Sequence, residues 1–342
     1  MLGFIKRYFS GLSMLPFSPC PGLNSPHLQT LWSPLFRKPK TLKRHRECFT
    51  TSDSDFLHLD WYGPKESDHL VVLLHGLTGS SESKYITGLQ TRLDQQGIQS
   101  VCINFRGCSG EPNWQPRSYH SGDSQELKDV LQHLKQQYPD KQMMAAGYSL
   151  GGNVLLKYQG EEGSNSLLSA AVAVSVPFRL DHCAHRMNHG ATRIYRNRFL
   201  TDMHRQMHDK LRFFQRQGWH DRAKALEPFT NYGYLNTFED FDHYITAALH
   251  GFQSGEDYYR KASSRYYLEG ITRPTLIIHS SDDPFMTPDC VPQPEELSDS
   301  TELELTCRGG HVGFIGGRPH QLDYWLEQRI PEFLTQHKCS SC

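Results

Sequence analysis

Ser149 stands in Gly147-Tyr148-Ser149-Leu150-Gly151, a Gly-x-Ser-x-Gly pattern. It follows a short apolar run, 143–146, and precedes the helix-forming stretch 153–159. Strand, tight turn, helix is the setting in which that pattern makes a nucleophile elbow. A serine at so sharp a turn sits in strained backbone, and side chains two residues to either side would strike the neighbouring strand and helix. Gly147 and Gly151 remove that clash. A serine hydroxyl is a weak nucleophile near neutral pH, so it needs a base, and an imidazole base needs a carboxylate to fix its tautomer. The chain offers Asp282 and Asp283, then His311, each after a stretch that reads as a strand. Asp283 is the preferred acid, because Pro284 fixes the chain after it and Phe285-Met286 can anchor the loop. Asp282 is the alternative, with a role in capping or bracing the turn. Gly309-Gly310 permit the backbone excursion that swings His311 towards Ser149. The expected chemistry is acyl transfer. Ser149 attacks an ester carbonyl while His311 takes its proton and returns it to the leaving alcohol, and water or another alcohol then releases the acyl group.

The elements that must position these residues follow an alternating rhythm. Segments 44–50 and 55–62 alternate polar and apolar as an edge hairpin does. The run 70–74 is continuously aliphatic, as in a strand buried on both faces. Further strands are expected at 98–105, 143–146, 167–176, 274–280 and 302–306, with helices at 85–96, 122–137 and 319–336. The last helix turns Leu322, Trp325, Leu326, Ile330 and Phe333 inward. Strands alternating with helices mean a mostly parallel, twisted α/β sheet covered on both faces. The rhythm breaks at about Phe178 and resumes at Arg273. Between Arg179 and Arg216, nine Arg or Lys face only Asp181, Asp202 and Asp209, with Phe199, Leu211, Phe213 and Phe214 at helical spacings. This reads as a helical cap inserted after the sixth strand. The organisation expected is one domain, 1–342: an arm at 1–40, rich in Pro, Ser and His and irregular from 20, a core at 41–177 and 273–338, and the cap at 178–272.

Composition narrows the setting. The 342 residues carry a net charge of −1, so nothing draws the whole molecule to nucleic acid or to an anionic membrane. The basic cap reads as a solvated face and lacks a nucleic-acid-binding motif. Nine scattered cysteines suit reduced thiols in the cytoplasm, and Cys339-Ser340-Ser341-Cys342 is polar tail rather than a redox or metal motif. His182, His185 and His189 are spaced to share a helix face, but no convincing ligand shell completes a metal site. The broken apolar stretch at residues 1–19 is neither a clear signal peptide nor a membrane span. Residues 2–15 suit packing on their own domain, and weak contact with a membrane surface is the competing reading.

At this point the chain resembles the YheT-type hydrolases, family four of the α/β-hydrolase superfamily. The resemblance is carried by Pro26-His27-Leu28-Gln29-Thr30, His75-Gly76-Leu77-Thr78-Gly79 and Asn104-Phe105-Arg106-Gly107-Cys108-Ser109-Gly110. It continues in the elbow through Asn153, in Gly251-Phe252 with Tyr258-Tyr259, in Asp282-Asp283-Pro284-Phe285 and in Gly309-Gly310-His311-Val312-Gly313-Phe314. The α/β-hydrolase pattern runs Ser, acid, His along the chain and takes oxyanion donors from the residue after His-Gly and the residue after the serine. These are the backbone N–H groups of Leu77 and Leu150. His75 is expected to brace that turn. The resemblance implies a cofactor-free carboxylic ester hydrolase acting on small-molecule esters of short to medium chain. An acyltransferase (ester synthase) or a phospholipid hydrolase would use the same residues. A binding module without chemistry would be expected to have lost Ser149, Asp283 or His311. The resemblance assigns no role to Pro26–Thr30, which is expected to pack near the cap hinge.

Overall fold

The computed structural model describes residues 16–231 and 233–338 and sets eight strands in one sheet. They are β1 (His45–Thr50), β2 (Phe56–Tyr62), β3 (His69–Leu74), β4 (Gln99–Asn104), β5 (Gln142–Tyr148), β6 (Ala171–Val174), β7 (Thr275–Ser280) and β8 (Thr301–Thr306). The lateral order is β1-β2-β4-β3-β5-β6-β7-β8. The β1–β2 and β2–β4 pairs are antiparallel, and all later neighbours are parallel.

Helix α1 (Pro26–Phe36) precedes the sheet, and α2 (Lys84–Gln95), α3 (Ser124–Gln137) and α4 (Leu150–Glu162) connect its strands. In β3, Leu70, Val72 and Leu74 pack with Leu127, Val130 and Leu131 of α3 and Val154 of α4. Val71 and Leu73 of the same strand pack with Ile86, Leu89 and Leu93 of α2 on the opposite face. A strand with aliphatic residues on both sides thus has a helical layer on each, which is why the run 70–74 does not alternate.

Between β6 and β7 lie α5 (Leu180–Met187), α6 (Thr192–Arg216), α7 (His220–Thr230), α8 (Phe238–Phe241), α9 (Ala247–His250) and α10 (Gly255–Ala262). A single π-helical turn, Asp242–Thr246, joins α8 to α9. These helices hold a hydrophobic cluster of their own, in which Leu200, Met207 and Phe214 of α6 meet Leu226, Phe241 and Ile245. Lys210 of α6 reaches down from this layer and donates to the Arg117 carbonyl of the core (2.7 Å); burial lowers its ammonium group to about 8.

Two expectations change. Residues 26–36 are helical rather than irregular, because Pro26 occupies the first helical turn, where its missing N–H costs nothing. The closing helix α11 spans Leu326–Gln336 only. The hairpin β9 (Ile315–Arg318) and β10 (Gln321–Tyr324) takes up the residues before it, turning at Pro319-His320, with Gly317 (φ +80°) opposite Leu322. Trp325, Leu326, Ile330 and Phe333 are buried as expected, whereas Leu322 belongs to the hairpin and packs towards Cys20, Leu23 and Ile315. Residues 2–15 and the Cys339–Cys342 tail lie outside the described residues. Among the described residues no helix is long and apolar enough to cross a membrane, and every cysteine is a free thiol.

Candidate active site

β5 ends at Tyr148 and α4 begins at Leu150, so Ser149 alone makes the turn, with φ +52°. Its N–H donates to the Val174 carbonyl at the end of β6 (2.8 Å), and its carbonyl accepts from the Asn153 N–H (3.0 Å). The flanking glycines are a matter of contact. A Cβ on Gly147 would lie 2.5 Å from the Gly151 carbonyl oxygen, and one on Gly151 would lie 2.6 Å from the carbonyl oxygens of Leu74 and His75. The strained turn is held from both sides.

The structure brings Ser149, His311 and Asp283 into one hydrogen-bonded row. His311 Nε2 lies 2.9 Å from Ser149 Oγ, and its Nδ1 lies 2.8 Å from Asp283 Oδ2. With the Nδ1 proton donated to the carboxylate, Nε2 is left to accept from the serine hydroxyl. Asp283 is buried, and its Oδ1 accepts from the Phe285 N–H (2.9 Å). Asp282 faces elsewhere: its Oδ1 accepts from the Gly310 N–H (2.9 Å) and the Ser280 hydroxyl (2.6 Å). One carboxylate meets the imidazole; the other holds the backbone that carries it.

That backbone has a second brace. The His311 N–H donates to Thr30 Oγ1 (2.9 Å), whose hydroxyl donates to the Pro26 carbonyl (2.7 Å). Fully buried Gln29 accepts from the Ile315 N–H (2.7 Å) and donates to the carbonyls of Ile315 (3.0 Å) and Leu23 (2.8 Å). Gly310 and Gly313 let α1 come this close, since a Cβ on either would lie 2.5 Å from a carbonyl oxygen of Pro26 or Gln29. The Pro26-His27-Leu28-Gln29-Thr30 stretch therefore packs mainly on the His311 loop. Its contact with the cap is His27, which stacks on Tyr195 with Nδ1 3.0 Å from the phenol oxygen. The clue present in the sequence was the pair Gly310 and Gly313 around His311, which demanded a close neighbour without naming it.

The loop after β3 passes beside the serine, since a Cβ on Gly76 would lie 3.3 Å from Ser149 Cβ. Its amides are largely committed. Gly76 N–H donates to Tyr85 Oη (2.9 Å), Thr78 N–H to Tyr119 Oη (2.9 Å) and Gly79 N–H to the Gly76 carbonyl (3.0 Å). Among the described residues no hydrogen bond occupies the Leu77 N–H or the Leu150 N–H, the latter being the first of α4. Two free donors beside a nucleophile can hold a developing oxyanion. Tyr85 and Tyr119, which steady this loop, carried no signal in the sequence. His75 accepts from the Phe105 N–H at Nε2 (3.1 Å) and donates from Nδ1 to the Gly76 carbonyl (2.8 Å); burial keeps it neutral, lowering it to about 4. It braces the loop and does not reach the serine row.

A cavity of about 430 Å³ opens over Ser149 and His311, roofed by cap residues that include Leu180, Met187 and Phe199. A smaller one of about 90 Å³ shares Leu77, Leu150, Asp242 and Tyr258 with it. Of the spaced cap histidines, His185 and His189 pack ring to ring, and the described residues contain no group of three potential metal ligands.

Comparison with known proteins shows the family. Residues 69–317 match the family described as alpha/beta hydrolase fold. The chain belongs to the α/β-hydrolase family. Within the family it groups with YheT of Escherichia coli (strain K12), to which it is 37% identical over 96% of each chain. It is 30% identical to the phospholipase ABHD3 of Bos taurus, over 90% of this chain and 75% of that protein. Among solved structures, the Pyrococcus furiosus esterase Pf2001 superposes with a TM-score of 0.55 over 95% of this chain and 99% of its own, at 19% identity.

Proposed function

We propose that this α/β-hydrolase is a serine carboxylesterase acting on short- to medium-chain esters, without a cofactor. The observation that carries the reading is the continuous Asp283–His311–Ser149 row, with spacings of 2.8 and 2.9 Å, opening into the 430 Å³ cavity. Ser149 Oγ attacks the ester carbonyl as His311 Nε2 takes its proton. The N–H groups of Leu77 and Leu150 hold the oxyanion, and the imidazolium, steadied by Asp283, protonates the leaving alcohol. Water, activated by the same imidazole, then hydrolyses the acyl-serine. Kinship with a phospholipase and the acyl-serine itself keep two variants of this chemistry in play: hydrolysis of a phospholipid ester, and transfer of the acyl group to an alcohol.

The test is turnover of p-nitrophenyl esters from acetate to palmitate by the wild type and by Ser149→Ala. The expected result is a rate maximum at one chain length and a loss on the order of 10⁴- to 10⁶-fold in the variant. Equal turnover by the two proteins rejects the reading. Product analysis with added ethanol separates hydrolysis from transfer.

A further inference from the structure

The cavity over Ser149 is walled mostly by apolar and aromatic side chains, and three charged cap residues, Arg198, Asp202 and Asp242, break that pattern. Asp242 lines both the main cavity and the smaller chamber beside it, at the place where the two share Leu77 and Leu150. It sits at the start of the π-helical turn, a wide turn that adds a residue to the helical register and often marks functional positions. Its Oδ1 accepts from the Thr246 hydroxyl (2.7 Å) and its Oδ2 from the Tyr259 hydroxyl (2.8 Å). No Lys, Arg or His forms an ion pair with it among the described residues. Burial and the nearby Glu239 carboxylate push it up to about 6.

A carboxyl group without a counter-charge inside a largely apolar cavity is expensive to keep unless something in the cavity uses it. A structural tie between the π turn and α10 would need only a neutral acceptor. The trio offers more. Each carboxyl oxygen retains acceptor capacity, and so do the two hydroxyls that donate to Asp242, with Thr246 lining the smaller chamber and Tyr259 the main cavity. Acceptors clustered in this way suit a group that donates one hydrogen bond and can also receive one from a protonated carboxyl, which describes an alcohol. We infer that Asp242, with Thr246 and Tyr259, is a specificity-determining site for a hydroxyl group on the substrate ester. This rests on the esterase reading above and narrows its substrate to hydroxyl-bearing esters. The hydroxyl belongs either to the alcohol part, as in a glycerol monoester, or to the acyl part, as in a hydroxyacyl ester.

Three matched substrates separate these sources: ethyl butyrate, glyceryl monobutyrate and ethyl 4-hydroxybutyrate. The quantity read is kcat/KM for each hydroxylated ester divided by that for ethyl butyrate, in the wild type and in Asp242→Asn. The wild type is expected to favour one hydroxylated ester by about tenfold or more, the scale of one well-made hydrogen bond to a charged group, and the variant to bring that ratio close to one. Preference for the glyceryl ester puts the hydroxyl in the alcohol; preference for the hydroxybutyrate puts it in the acyl chain. A wild type with no preference, a variant that keeps the preference, or equal losses on all three esters each overturns the inference. Tyr259→Phe, which keeps the carboxylate and removes one hydroxyl, gives the same ratio test if the first variant does not fold, with a smaller fall expected. A collapse of all turnover in Ser149→Ala with an unchanged ratio in Asp242→Asn defeats only the Asp242 assignment. Ester hydrolysis that survives Ser149→Ala defeats both readings.

Discussion

The carboxyl edge of the sheet and the helical layer above it are built on different terms. Of the non-glycine residues described with positive φ, Thr78, Ser149, Ser175, Val312 and Phe314 all lie in loops at that edge, and Ser54 alone lies elsewhere. In the layer between β6 and β7, positive φ is left to Gly190, Gly218 and Gly251. Each strained non-glycine residue costs about 1–3 kcal/mol and persists only where its surroundings over-determine it. The edge supplies that control. Val312, a β-branched residue at φ +60°, has its N–H tied to Ser175 Oγ (3.0 Å), while the N–H of Ser149 is held by Val174. The cap instead uses relaxed helices, a separate hydrophobic cluster and ion pairs at its surface, such as Arg205–Asp202 and Arg212–Asp209. Strain is concentrated where atoms must be placed for reaction, and the cap is left free to vary the room above them.

If that division is right, substitutions at the edge act on the rate far beyond their size. On the proposed mechanism, Asp283→Asn is expected to lower kcat on the order of 10⁴-fold by favouring the wrong His311 tautomer. Asp282→Asn, one residue away, should lose far less; comparable losses in the two variants would break the assignment of separate roles to them. The cap should matter energetically mainly where it faces the cavity. Asp242 is held at about 6 against 3.8 for an ordinary aspartate. Between about pH 4 and 6 the folded protein therefore binds more protons than the unfolded chain, and stability falls as pH rises through that window. The cost at higher pH reaches about 3 kcal/mol at most. Denaturant melts of Asp242→Asn and the wild type should thus diverge across pH 4–6, with the variant gaining relative stability; parallel curves would show that this carboxyl is not destabilised. Thr30→Val removes the acceptor for the His311 N–H, and kcat should drop by about 10- to 100-fold as the ring drifts, with KM little changed. A change in KM alone would place Thr30 in substrate binding instead. The smallest effect belongs to the cap surface, where Arg212→Ala should shift stability by no more than about 0.5 kcal/mol in a chemical melt.

The parts legible in the sequence are those whose causes are local. The aliphatic run of β3 declares a strand covered on both faces, and a glycine-flanked serine between strand and helix declares its own turn. Asp283 and His311 were legible because each follows a strand, and strand ends share an edge. What stayed hidden depends on distant partners. Gln29 and Thr30 hold residues more than 280 positions away, and nothing in their immediate neighbours says so. The π turn was equally silent, since one added residue shifts the helical phase without any distinctive residue type. The closing helix is shorter than its pattern suggests, because Leu322 and Trp325 sit at helical spacing although Leu322 pairs with Gly317 across the β9–β10 hairpin.

The brace that α1 places on the His311 loop also bears on when the protein becomes competent. A chain made from its amino terminus carries Thr30 early, while the imidazole it steadies arrives some 280 residues later. Ser149 and the donors beside it can therefore be folded well before any base exists to deprotonate that serine. On the proposed mechanism, competence comes with the docking of the His311 loop onto α1. On that reading, a nick between α1 and β1 would loosen the His311 loop while sparing most of the sheet, and a chain not yet made as far as His311 would carry an inert serine.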